Sequence, residues 1–494
     1  MNIFTLLEMA AVAMGDRVAL VSGGERLSYA ELLVAARGAA STVTGSGVGR
    51  LAYLAENTPA APVALFGAAL AGVAYVPVNY RLSEGEIAAL LARVSPALVV
   101  GAPKAEVDGV VAVSPGAFLE RARVGGGEDL VAPEDAGAIA VELFTSGTTG
   151  APKAAILRHG NLMSYILGTV EFMSAAEDDA TIITVPPYHI AGISAVLSSV
   201  YAGRRMIQLP AFDAGEWLAL VRQHDVTNAF LVPTMLQRLV EHLDRAGASA
   251  EAPSLRAIAY GGGKMPLSVI ERAMALFPGV GFTNAYGLTE TSSTICLLDP
   301  ADHQAAFSAS EATARRRLGS VGRPLPSVEL EIRDEAGMAL GPHEAGLVFV
   351  RGPQVAGEYH GLGSQLDAEG WFPTSDRGWV DDEGYLFLDG RADDVIVRGG
   401  ENISPGEIEA VLLSHEAVAE AAVVAMPDAE WGEAVAAVIV LRPGQAAEAG
   451  ELQDFVRAAL RSSRVPQAVR FAEALPYNET GKLLRRVVRE MFQG

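Results

Sequence analysis

The sequence is poor in cysteine, in aromatic residues and in basic residues. Its 494 residues include a single cysteine, Cys296, so no intrachain disulfide can form. We expect this residue to be a small core side chain in a reducing compartment. Lys and Arg together number 37 against 59 Asp and Glu, which gives a formal net charge of −22. Because binding to nucleic acid or to anionic lipid requires surplus basic side chains on one face, this composition argues against both.

The sequence also has no stretch typical of a secretory signal or a membrane span. The N-terminal stretch MNIFTLLEMAAVAMGDR has no basic residue ahead of its apolar part and carries Glu8 within it. The uncharged run 59–78, PAAPVALFGAALAGVAYVPV, contains three prolines and two glycines. It predicts a buried helix that turns at Gly72 into a buried strand. We therefore expect a cytoplasmic protein without integral membrane association.

What the sequence does contain is an alternation of helical patterns with short apolar runs. Ser28 and Glu31 have the spacing of a capping box ahead of a helix. The apolar runs predicted to be strands are VAYVPV, PALVV, TIITVPP, RRMIQL, NAFLVP and LRAIAYGG. This alternation predicts an α/β protein with layered subdomains and largely parallel sheets.

The pattern changes twice toward the C-terminus. From about Ser320 short alternating runs such as VELEIRDE and AGLVFVRG predict a small antiparallel or β-barrel-like subdomain. From about Asp393 a further set of helix and strand patterns predicts a separate α+β domain. The chain thus divides into an N-terminal domain, residues 1–390, whose last part, about 320–390, is barrel-like, and a C-terminal domain, residues 394–494.

The stretch 143–155, LFTSGTTGAPKAA, combines hydroxyl side chains, two glycines and a lysine. It is not a Walker A loop, because Pro152 stands where that loop needs its second glycine. Hydroxyl donors, close backbone approach and one cation nevertheless favour a polyphosphate ligand. On this segment alone, a flexible Gly/Thr turn remains the alternative. The residues concerned are Thr145, Ser146, Gly147, Thr148, Thr149, Gly150 and Lys153.

Three further segments carry ligand-binding chemistry. TNAYGLTETSS, residues 283–293, brings together an aromatic ring, a glycine, hydroxyls and a carboxylate. Such a set is suited to stack on a base, hold a phosphate and bind Mg²⁺. Asp376 and Arg391 flank a hairpin-like pair of strands, and NETGKLLRR places Lys482 between a glycine and two arginines.

The segments TSGTTGAPK, YGLTE, TSDRG, GRADD and TGKLLRR, in this order, resemble the adenylate-forming superfamily. That superfamily comprises acyl- and aryl-CoA synthetases, carrier-loading adenylation domains and firefly luciferase. The resemblance covers nearly the whole chain. It implies an AMP-binding enzyme in which a carboxylate attacks the α-phosphate of ATP, releasing pyrophosphate, and a thiol then displaces AMP from the acyl-adenylate. The implied cofactors are ATP, Mg²⁺ and CoA.

The resemblance assigns the ATP-handling roles residue by residue. The implied ATP-site residues are Thr145, Ser146, Gly147, Thr148, Thr149, Gly150 and Lys153 at the β- and γ-phosphates, Tyr286 with Gly287 beside adenine, Thr289 at the α-phosphate, Glu290 at Mg²⁺, and Asp376 with Arg391 at the ribose. Lys482 would bridge the substrate carboxylate and the α-phosphate during adenylation only. Ser375 stands where the family frequently has a glycine.

The thiol-transfer roles follow from the same resemblance. A hinge at residues 391–393, with Asp393 in the hinge position, would let the C-terminal domain rotate so that Lys482 leaves before the pantetheine arm enters. Gly399 and Gly400 would line the thiol tunnel. Trp431 is similar to a residue that meets the CoA adenine, with a packed surface aromatic as the alternative.

The acyl pocket is also inferred from the resemblance. AYGGGKMP, residues 259–266, matches the wall shared by the acyl and adenine pockets, and His189 matches the gate between acyl pocket and thiol tunnel. The candidate pocket residues are His189, Ile193, Phe230, Tyr260, Gly261, Gly262 and Ala285. Because these are small or apolar, and Lys264 is the only cation nearby, we expect an uncharged tail, fatty or aromatic.

Three functions remain open from the sequence. The first is an acid–CoA ligase, favoured by RGGENISP (residues 398–405), Trp431 and Lys482 together. The second is an adenylating enzyme that passes the acyl group to a carrier-protein pantetheine or to another nucleophile. The third, of a different class, is a non-catalytic ligand-binding protein with the same fold.

Overall fold

The computed structural model describes residues 1–145, 152–247, 249–477 and 483–492, without the side chains of Ala312, Thr313 and Asn402. Two compact units are present: the first comprises residues 1–329 and 350–372, and the second residues 330–349 and 373–494. Each unit is described by itself below.

The α-helices in the described ranges are α1 (Phe4–Met14), α2 (Tyr29–Ser46), α3 (Ala60–Ala71), α4 (Glu84–Val94), α5 (Pro115–Arg123), α6 (His159–Thr169), α7 (Ile190–Ala202), α8 (Ala214–Gln223), α9 (Pro233–Ala246), α10 (Leu267–Leu276), α11 (Pro300–Ser308), α12 (Ala312–Arg315), α13 (Pro405–Leu413), α14 (Ala449–Ala459) and α15 (Arg485–Glu490).

The strands of the first 330 residues or so are β1 (Val18–Ser22), β2 (Glu25–Ser28), β3 (Arg50–Leu54), β4 (Ala74–Pro77), β5 (Ala97–Gly101), β6 (Val110–Val113), β7 (Ile139–Thr145), β8 (Lys153–Arg158), β9 (Ala180–Ile183), β10 (Arg205–Gln208), β11 (Asn228–Leu231), β12 (Ala257–Gly261), β13 (Gly281–Leu288), β14 (Ser293–Leu298), β15 (Arg323–Pro324) and β16 (Glu329–Arg333). The later strands are β17 (Gly346–Arg351), β18 (Glu358–Tyr359), β19 (Gly363–Ser364), β20 (Phe372–Val380), β21 (Leu386–Arg391), β22 (Ile396–Arg398), β23 (Glu401–Ile403), β24 (Val418–Asp428), β25 (Gly432–Leu441) and β26 (Ala468–Phe471).

The first unit contains two large sheets with parallel centres and antiparallel edges. One has the strand order β15-β14-β13-β12-β11-β9-β10-β1-β2 and the other β19-β18-β8-β7-β4-β3-β5-β6. Parallel pairing runs from β13 to β1 in the first sheet and from β7 to β6 in the second. The α/β class and the largely parallel sheets predicted from the sequence are confirmed.

Local signals in the sequence correctly mark several of these elements. The Ser28 side chain accepts from the Glu31 N–H and the Glu31 carboxylate accepts from the Ser28 N–H, which is the predicted capping box. The run 59–78 forms the buried helix α3 and the buried strand β4, with Gly72 in the left-handed conformation between them. Cys296 is fully buried, and burial raises the pKa of its thiol. No helix in the described ranges is long and apolar enough to cross a membrane.

The strands and helices expected after about residue 320 are present as well. Strands β16, β17, β20 and β21 form a four-stranded sheet in that order. The C-terminal part packs α13 and α14 against a sheet of order β23-β22-β25-β24, with β26 beside β25. Its core includes Ile408, Leu412, Val423, Val435 and Ile439, all fully buried. The α+β character expected for the C-terminal region is thus confirmed.

We expect His159, the first residue of α6, to make the first unit sensitive to acid. Its side chain is 2% exposed, and its Nδ1 accepts a hydrogen bond of 3.3 Å from the Ile3 N–H. Burial lowers the pKa of this imidazole from 6.5 to about 4. Between those pH values the unfolded chain binds a proton that the folded chain does not, so stability falls as the pH is lowered through this window.

At pH 5 this linkage should cost the wild type about 2 kcal/mol of unfolding free energy relative to pH 7.5. We expect His159→Gln, which cannot titrate, to show a smaller loss of melting temperature between these two pH values in a calorimetric scan. His343→Gln, at an exposed position, serves as the control. An equal acid sensitivity of wild type and His159→Gln would contradict this account.

Candidate active site

The two ends of the predicted phosphate loop are held side by side in the second sheet. Thr145 ends β7 and Lys153 begins β8, and the two residues pair in an antiparallel register. The Thr145 hydroxyl lies 3.4 Å from the Lys153 carbonyl oxygen, and the Lys153 side chain is exposed. Ser146, Gly147, Thr148, Thr149 and Gly150 lie outside the described residues. The structure therefore gives the entry and exit of this loop.

Arg93, on α4, fixes the exit of the loop and has no counterpart in the sequence-based prediction. Its guanidinium donates to the Pro152 carbonyl oxygen at 2.6 Å and lies over the Phe144 ring at 5.0 Å from the centroid. It thus connects α4 both to β7 and to the residue that precedes β8.

The YGLTE motif forms the end of β13 and a tight 3-10 turn, Thr289–Thr291. Gly287 is required there, because a Cβ at this position would come 1.8 Å from the Ser293 carbonyl oxygen. The Thr291 hydroxyl accepts from the Leu288 N–H at 2.9 Å and closes the turn. Thr289 and Glu290 are therefore presented from a compact, internally hydrogen-bonded turn. Tyr286, predicted beside adenine, is only 9% exposed and pairs with Cys296 across the β13–β14 ladder.

Residues 356–360 hold Glu290, and the sequence analysis did not single out this segment. The Glu290 carbonyl oxygen accepts from the Ala356 N–H at 2.9 Å and from the Gly357 N–H at 3.0 Å. The Tyr359 hydroxyl donates to Glu290 Oε1 at 2.6 Å. The Lys153 ammonium lies over the Tyr359 ring, 5.4 Å from its centroid. Tyr359 thus links the predicted metal carboxylate to the predicted phosphate-binding lysine.

The donor set around Glu290 fits Mg²⁺. In the described part of the chain no group of three or more His, Cys, Asp or Glu side chains is placed to hold a metal ion. Mg²⁺ commonly takes one or two carboxylates from the protein and completes its shell with water and substrate phosphates. A single carboxylate linked through Tyr359 to the predicted phosphate-binding lysine matches that pattern.

His189 lies directly before α7, where it is partly exposed, but its Nε2 is buried and has no hydrogen-bond partner among the described residues. Burial, reinforced by the positive charge of Arg81, lowers the pKa of the imidazole to about 4. The ring is therefore neutral at pH 7. It packs against the Tyr188 ring, with centroids 4.6 Å apart, and Tyr188 packs edge-on against Tyr80 at 5.5 Å.

Tyr80 also lines an open groove of about 470 Å³ at the carboxyl ends of β3 and β5. Its other walls include Leu54, Ile87 and the Lys104–Glu84 ion pair, whose N–O distance is 2.7 Å. A row of aromatic rings therefore leads from this groove to His189.

Three of the predicted acyl-pocket residues meet on the neighbouring strands β11, β12 and β13. Gly261 pairs with Ala285, and a Cβ on Gly261 would lie 2.1 Å from the Ala285 carbonyl oxygen and 3.5 Å from the Phe230 ring. Only glycine allows this approach. Gly262 follows with a positive φ of 83°.

The predicted pocket residues Tyr260 and Ile193 have different surroundings. Tyr260 is fully buried, and its hydroxyl hydrogen-bonds at 2.8 Å to Nε2 of His303 on α11. Ile193 is 2% exposed and lines a cavity of about 20 Å³ with Asn57 and Gln208. The structure thus brings Phe230, Gly261 and Ala285 together.

The second unit holds the predicted ribose pair. Asp376 and Arg391 face each other across the β20–β21 ladder, and Arg391 donates to Asp376 Oδ1 at 3.2 Å. Ser375 has a positive φ of 61°, which explains why a glycine is frequent there in the family that the motifs resemble. Asp393 lies exposed in a 3-10 turn, Ala392–Asp394, directly after β21.

Gly399, predicted at the thiol tunnel, and Trp431, predicted at the CoA adenine, are in contact. A Cβ on Gly399 would lie 2.6 Å from the Trp431 ring, and the Gly399 N–H donates to the Trp431 carbonyl oxygen at 2.9 Å. The Arg398 guanidinium lies 5.8 Å from the ring centroid, and the indole is 45% exposed. Gly400 has a φ of 83°, and no atom lies within 4 Å of a Cβ added there. Lys482 lies outside the described residues.

Known proteins match the whole chain. The model of the AMP-binding enzyme family matches residues 7–360, and that of the AMP-binding enzyme C-terminal domain matches residues 407–482. Feruloyl-CoA synthase from Amycolatopsis sp is 33% identical over 95% of this chain and 95% of its own. The fatty acid–[acyl-carrier-protein] ligase ScoC of Streptomyces coeruleorubidus is 33% identical over 96% and 93%. The structure of o-succinylbenzoate CoA synthetase (MenE) from Bacillus subtilis with its acyl-adenylate intermediate superposes with a TM-score of 0.84, at 30% identity, over 99% of this chain and 98% of that one.

These matches define the class of the protein. The chain belongs to the family of AMP-binding enzymes. The resemblance to the adenylate-forming superfamily that the motifs indicated is confirmed, as is the fold with a large N-terminal and a smaller C-terminal domain.

Proposed function

We propose that the protein is an AMP-forming acid–CoA ligase that uses ATP and Mg²⁺. The observation that carries this proposal is that Tyr359 contacts both Lys153 and Glu290. Its ring lies under the Lys153 ammonium and its hydroxyl donates to the Glu290 carboxylate. It joins a phosphate-binding cation to a single metal-binding carboxylate in a chain that belongs to the AMP-binding enzymes. The full-length similarity to feruloyl-CoA synthase supports CoA as the acceptor.

The reaction has two displacements. A carboxylate oxygen of the acid attacks the α-phosphorus of ATP, the bond to the β-phosphate oxygen breaks, and pyrophosphate leaves. The CoA thiol then attacks the acyl carbon, loses its proton and expels AMP. Both steps depend mainly on positioning and on neutralising charge. Mg²⁺, when bound, neutralises charge on the phosphate oxygens.

In this scheme each predicted residue has one role. Lys153 and Glu290 hold the phosphates and the metal, and Asp376, with Arg391 beside it, accepts hydrogen bonds from the ribose hydroxyls. Thr289 contacts the α-phosphate from the turn before Glu290. Lys482 bridges the carboxylate and the α-phosphate in the first displacement.

We propose an acid with an uncharged tail. The wall formed by Phe230, Gly261 and Ala285 offers ring and backbone surface, and the neutral His189 adds no charge at pH 7. Lys264, the nearby cation, is exposed on the loop after the wall. Because a buried second carboxylate would need a dedicated cation, these surroundings favour a fatty or aromatic acid.

The proposed gate between acid and thiol is His189. Its buried Nε2 and the Tyr188 and Tyr80 rings lie on one path from the groove of about 470 Å³. A neutral ring can turn aside for the thiol without leaving a charge desolvated.

The proposed hinge is Asp393. It follows β21 in an exposed turn and lies between the matched family ranges 7–360 and 407–482. Rotation of the region after it would remove Lys482 and bring Gly399, Gly400 and Trp431 to the thiol. The single buried Cys296 and the use of free CoA fit a cytoplasmic location.

Trp431→Ala should raise the KM for CoA about ten-fold and leave the KM for ATP unchanged. The half-exposed indole offers one face to a base, and such stacking contributes roughly 1–3 kcal/mol. Steady-state kinetics with CoA and ATP varied separately checks this. Phe471→Ala, at an equally exposed aromatic of the same unit (45%), is the control. An unchanged KM for CoA would leave Trp431 a packed surface aromatic.

The proposal is tested by AMP release from the purified protein with ATP and Mg²⁺. A panel of fatty, aromatic and dicarboxylic acids is assayed with and without free CoA. We expect CoA-dependent AMP release with an acid whose tail is uncharged. Malonate or succinate as the best substrate would overturn the pocket assignment. Silence with every acid, in pyrophosphate exchange too, would favour a non-catalytic binding protein.

A second acceptor is supported by the carrier-protein ligase among the relatives, which matches 96% of this chain. If the acceptor were a carrier-protein pantetheine, adenylate would form with the same acids but free CoA would not accelerate AMP release. Addition of a pantetheinylated acyl carrier protein would then do so.

A further inference from the structure

Residues 356–360 connect the two halves of the nucleotide site in the first unit. Strand β18 pairs with β8, so Tyr359 lies opposite Ala155, and the His360 N–H donates to the Ala154 carbonyl oxygen at 2.8 Å. The same segment donates two backbone N–H groups to Glu290. It therefore joins the strand that leaves the phosphate loop to the turn that carries the metal carboxylate.

The path of this segment is set by Gly357. Its φ is 52°, and a Cβ there would lie 2.7 Å from the Leu366 side chain and 2.9 Å from the Phe372 ring. On its other side, Glu358 makes a bidentate ion pair with Arg158 on β8, with distances of 2.8 and 2.9 Å. The close packing at Gly357 and the Arg158–Glu358 ion pair together fix the backbone from which Tyr359 projects.

Tyr359 contacts two groups of opposite charge with different parts of its side chain. The hydroxyl donates to Glu290 Oε1 at 2.6 Å, and the ring face lies under the Lys153 ammonium at 5.4 Å. Within the described residues Lys153 and Glu290 form no direct ion pair. A direct pair would use the ammonium and the carboxylate on each other, and neither would be available to phosphate or metal.

We propose that Tyr359 is a positioning residue for Mg²⁺ and the pyrophosphate end of ATP. Its hydroxyl binds one carboxylate oxygen of Glu290 and turns the other toward the metal. Its ring keeps the Lys153 ammonium beside the loop and apart from Glu290. The inference rests on the proposed function for the identity of the nucleotide and the metal.

The test is calorimetric titration of the full-length protein with ATP, once with Mg²⁺ and once with EDTA, in the absence of acid and CoA. Tyr359→Phe keeps the ring and removes the hydroxyl. We expect it to weaken binding of MgATP roughly ten-fold, because hydrogen bonds to charged groups are the stronger ones. Its affinity for metal-free ATP should stay within about two-fold of the wild type, because the ring under Lys153 remains.

Tyr359→Leu removes both contacts. It should weaken MgATP binding at least as much and should also weaken metal-free ATP by roughly two- to five-fold. Tyr165→Phe is the matched control, because it removes a partly buried hydroxyl that lies 3.4 Å from Thr294 Oγ1 in the same unit. It should bind both forms of ATP as the wild type does.

The titrations separate the possible results. MgATP affinity of Tyr359→Phe equal to that of the wild type, or equal losses for MgATP and metal-free ATP, would overturn the positioning role. If the wild type binds MgATP and releases AMP, such a result removes only the inference about Tyr359. If the wild type binds neither form of ATP, the proposed function falls together with it.

Discussion

Lys482→Ala should abolish adenylate formation while leaving thioester formation from supplied acyl-adenylate largely intact. The lysine is proposed to neutralise charge that develops between the carboxylate and the α-phosphate, and removing one such group costs roughly 10²- to 10³-fold in rate. In the second displacement the α-phosphate is part of the leaving group and the lysine has moved away. The measurements are pyrophosphate exchange for the first step and acyl-CoA formation from synthetic acyl-adenylate for the second.

Arg486→Ala provides the matched control for this experiment. Arg486 lies four residues further along the same tail, is 77% exposed and pairs with Glu490. Its loss should change neither step. Equal losses in both steps for Lys482→Ala would contradict a role confined to adenylation. They would also remove the proposed reason for domain rotation, which is that Lys482 must leave before the pantetheine arm enters.

Gly287→Ala should reduce adenylate formation by about 10²-fold or more and lower the free energy of unfolding by about 1–3 kcal/mol. The added methyl group would lie 1.8 Å from the Ser293 carbonyl oxygen and 2.6 Å from its carbon. Neither atom belongs to a flexible side chain, so the backbone around the turn Thr289–Thr291 must shift. That shift moves Thr289 and Glu290, and a displacement of about 1 Å is enough for a large loss of rate.

The matched control is Gly116→Ala in α5, where nothing lies within 4 Å of the added Cβ. This change should be neutral or slightly stabilising, because alanine restricts the unfolded chain and suits a helix. Pyrophosphate exchange and calorimetric melting of both variants check the prediction. Wild-type exchange in Gly287→Ala would mean that the turn does not position the reacting groups.

Domain rotation about Asp393 and the roles of the individual site residues remain predictions. The two compact units divide at residues 330–349 and 373, whereas the sequence pattern and the motif resemblance put the junction at 391–393. The difference has a physical reason: β20 and β21 pair with each other, and α13 lies against β21, so these strands contact the region beyond them. The boundary between the compact units therefore need not coincide with the hinge predicted at residues 391–393.

The sequence by itself determined the local elements and the class of chemistry. The capping box at Ser28, the turn at Gly72 and the strands before each motif depend on neighbours in the chain, and local patterns of polarity and backbone freedom encode them. The motifs also carried the family, because their order and residue types are specific. The residue types alone favour a polyphosphate ligand with Mg²⁺, and the family resemblance implies ATP and CoA.

Only the tertiary structure decided which side chains meet. Tyr359 reaches Glu290 across 69 residues, and Arg93 reaches Pro152 across 59. Gly261 approaches Phe230 and Ala285 because β11, β12 and β13 are neighbours, and Ile193 lines a small cavity with Asn57 and Gln208. Such contacts depend on the order of the strands and on the pairing of β18 with β8. No local periodicity in the sequence specifies either of them. The sequence names the chemical groups, and the packing of distant strands determines which of them act together.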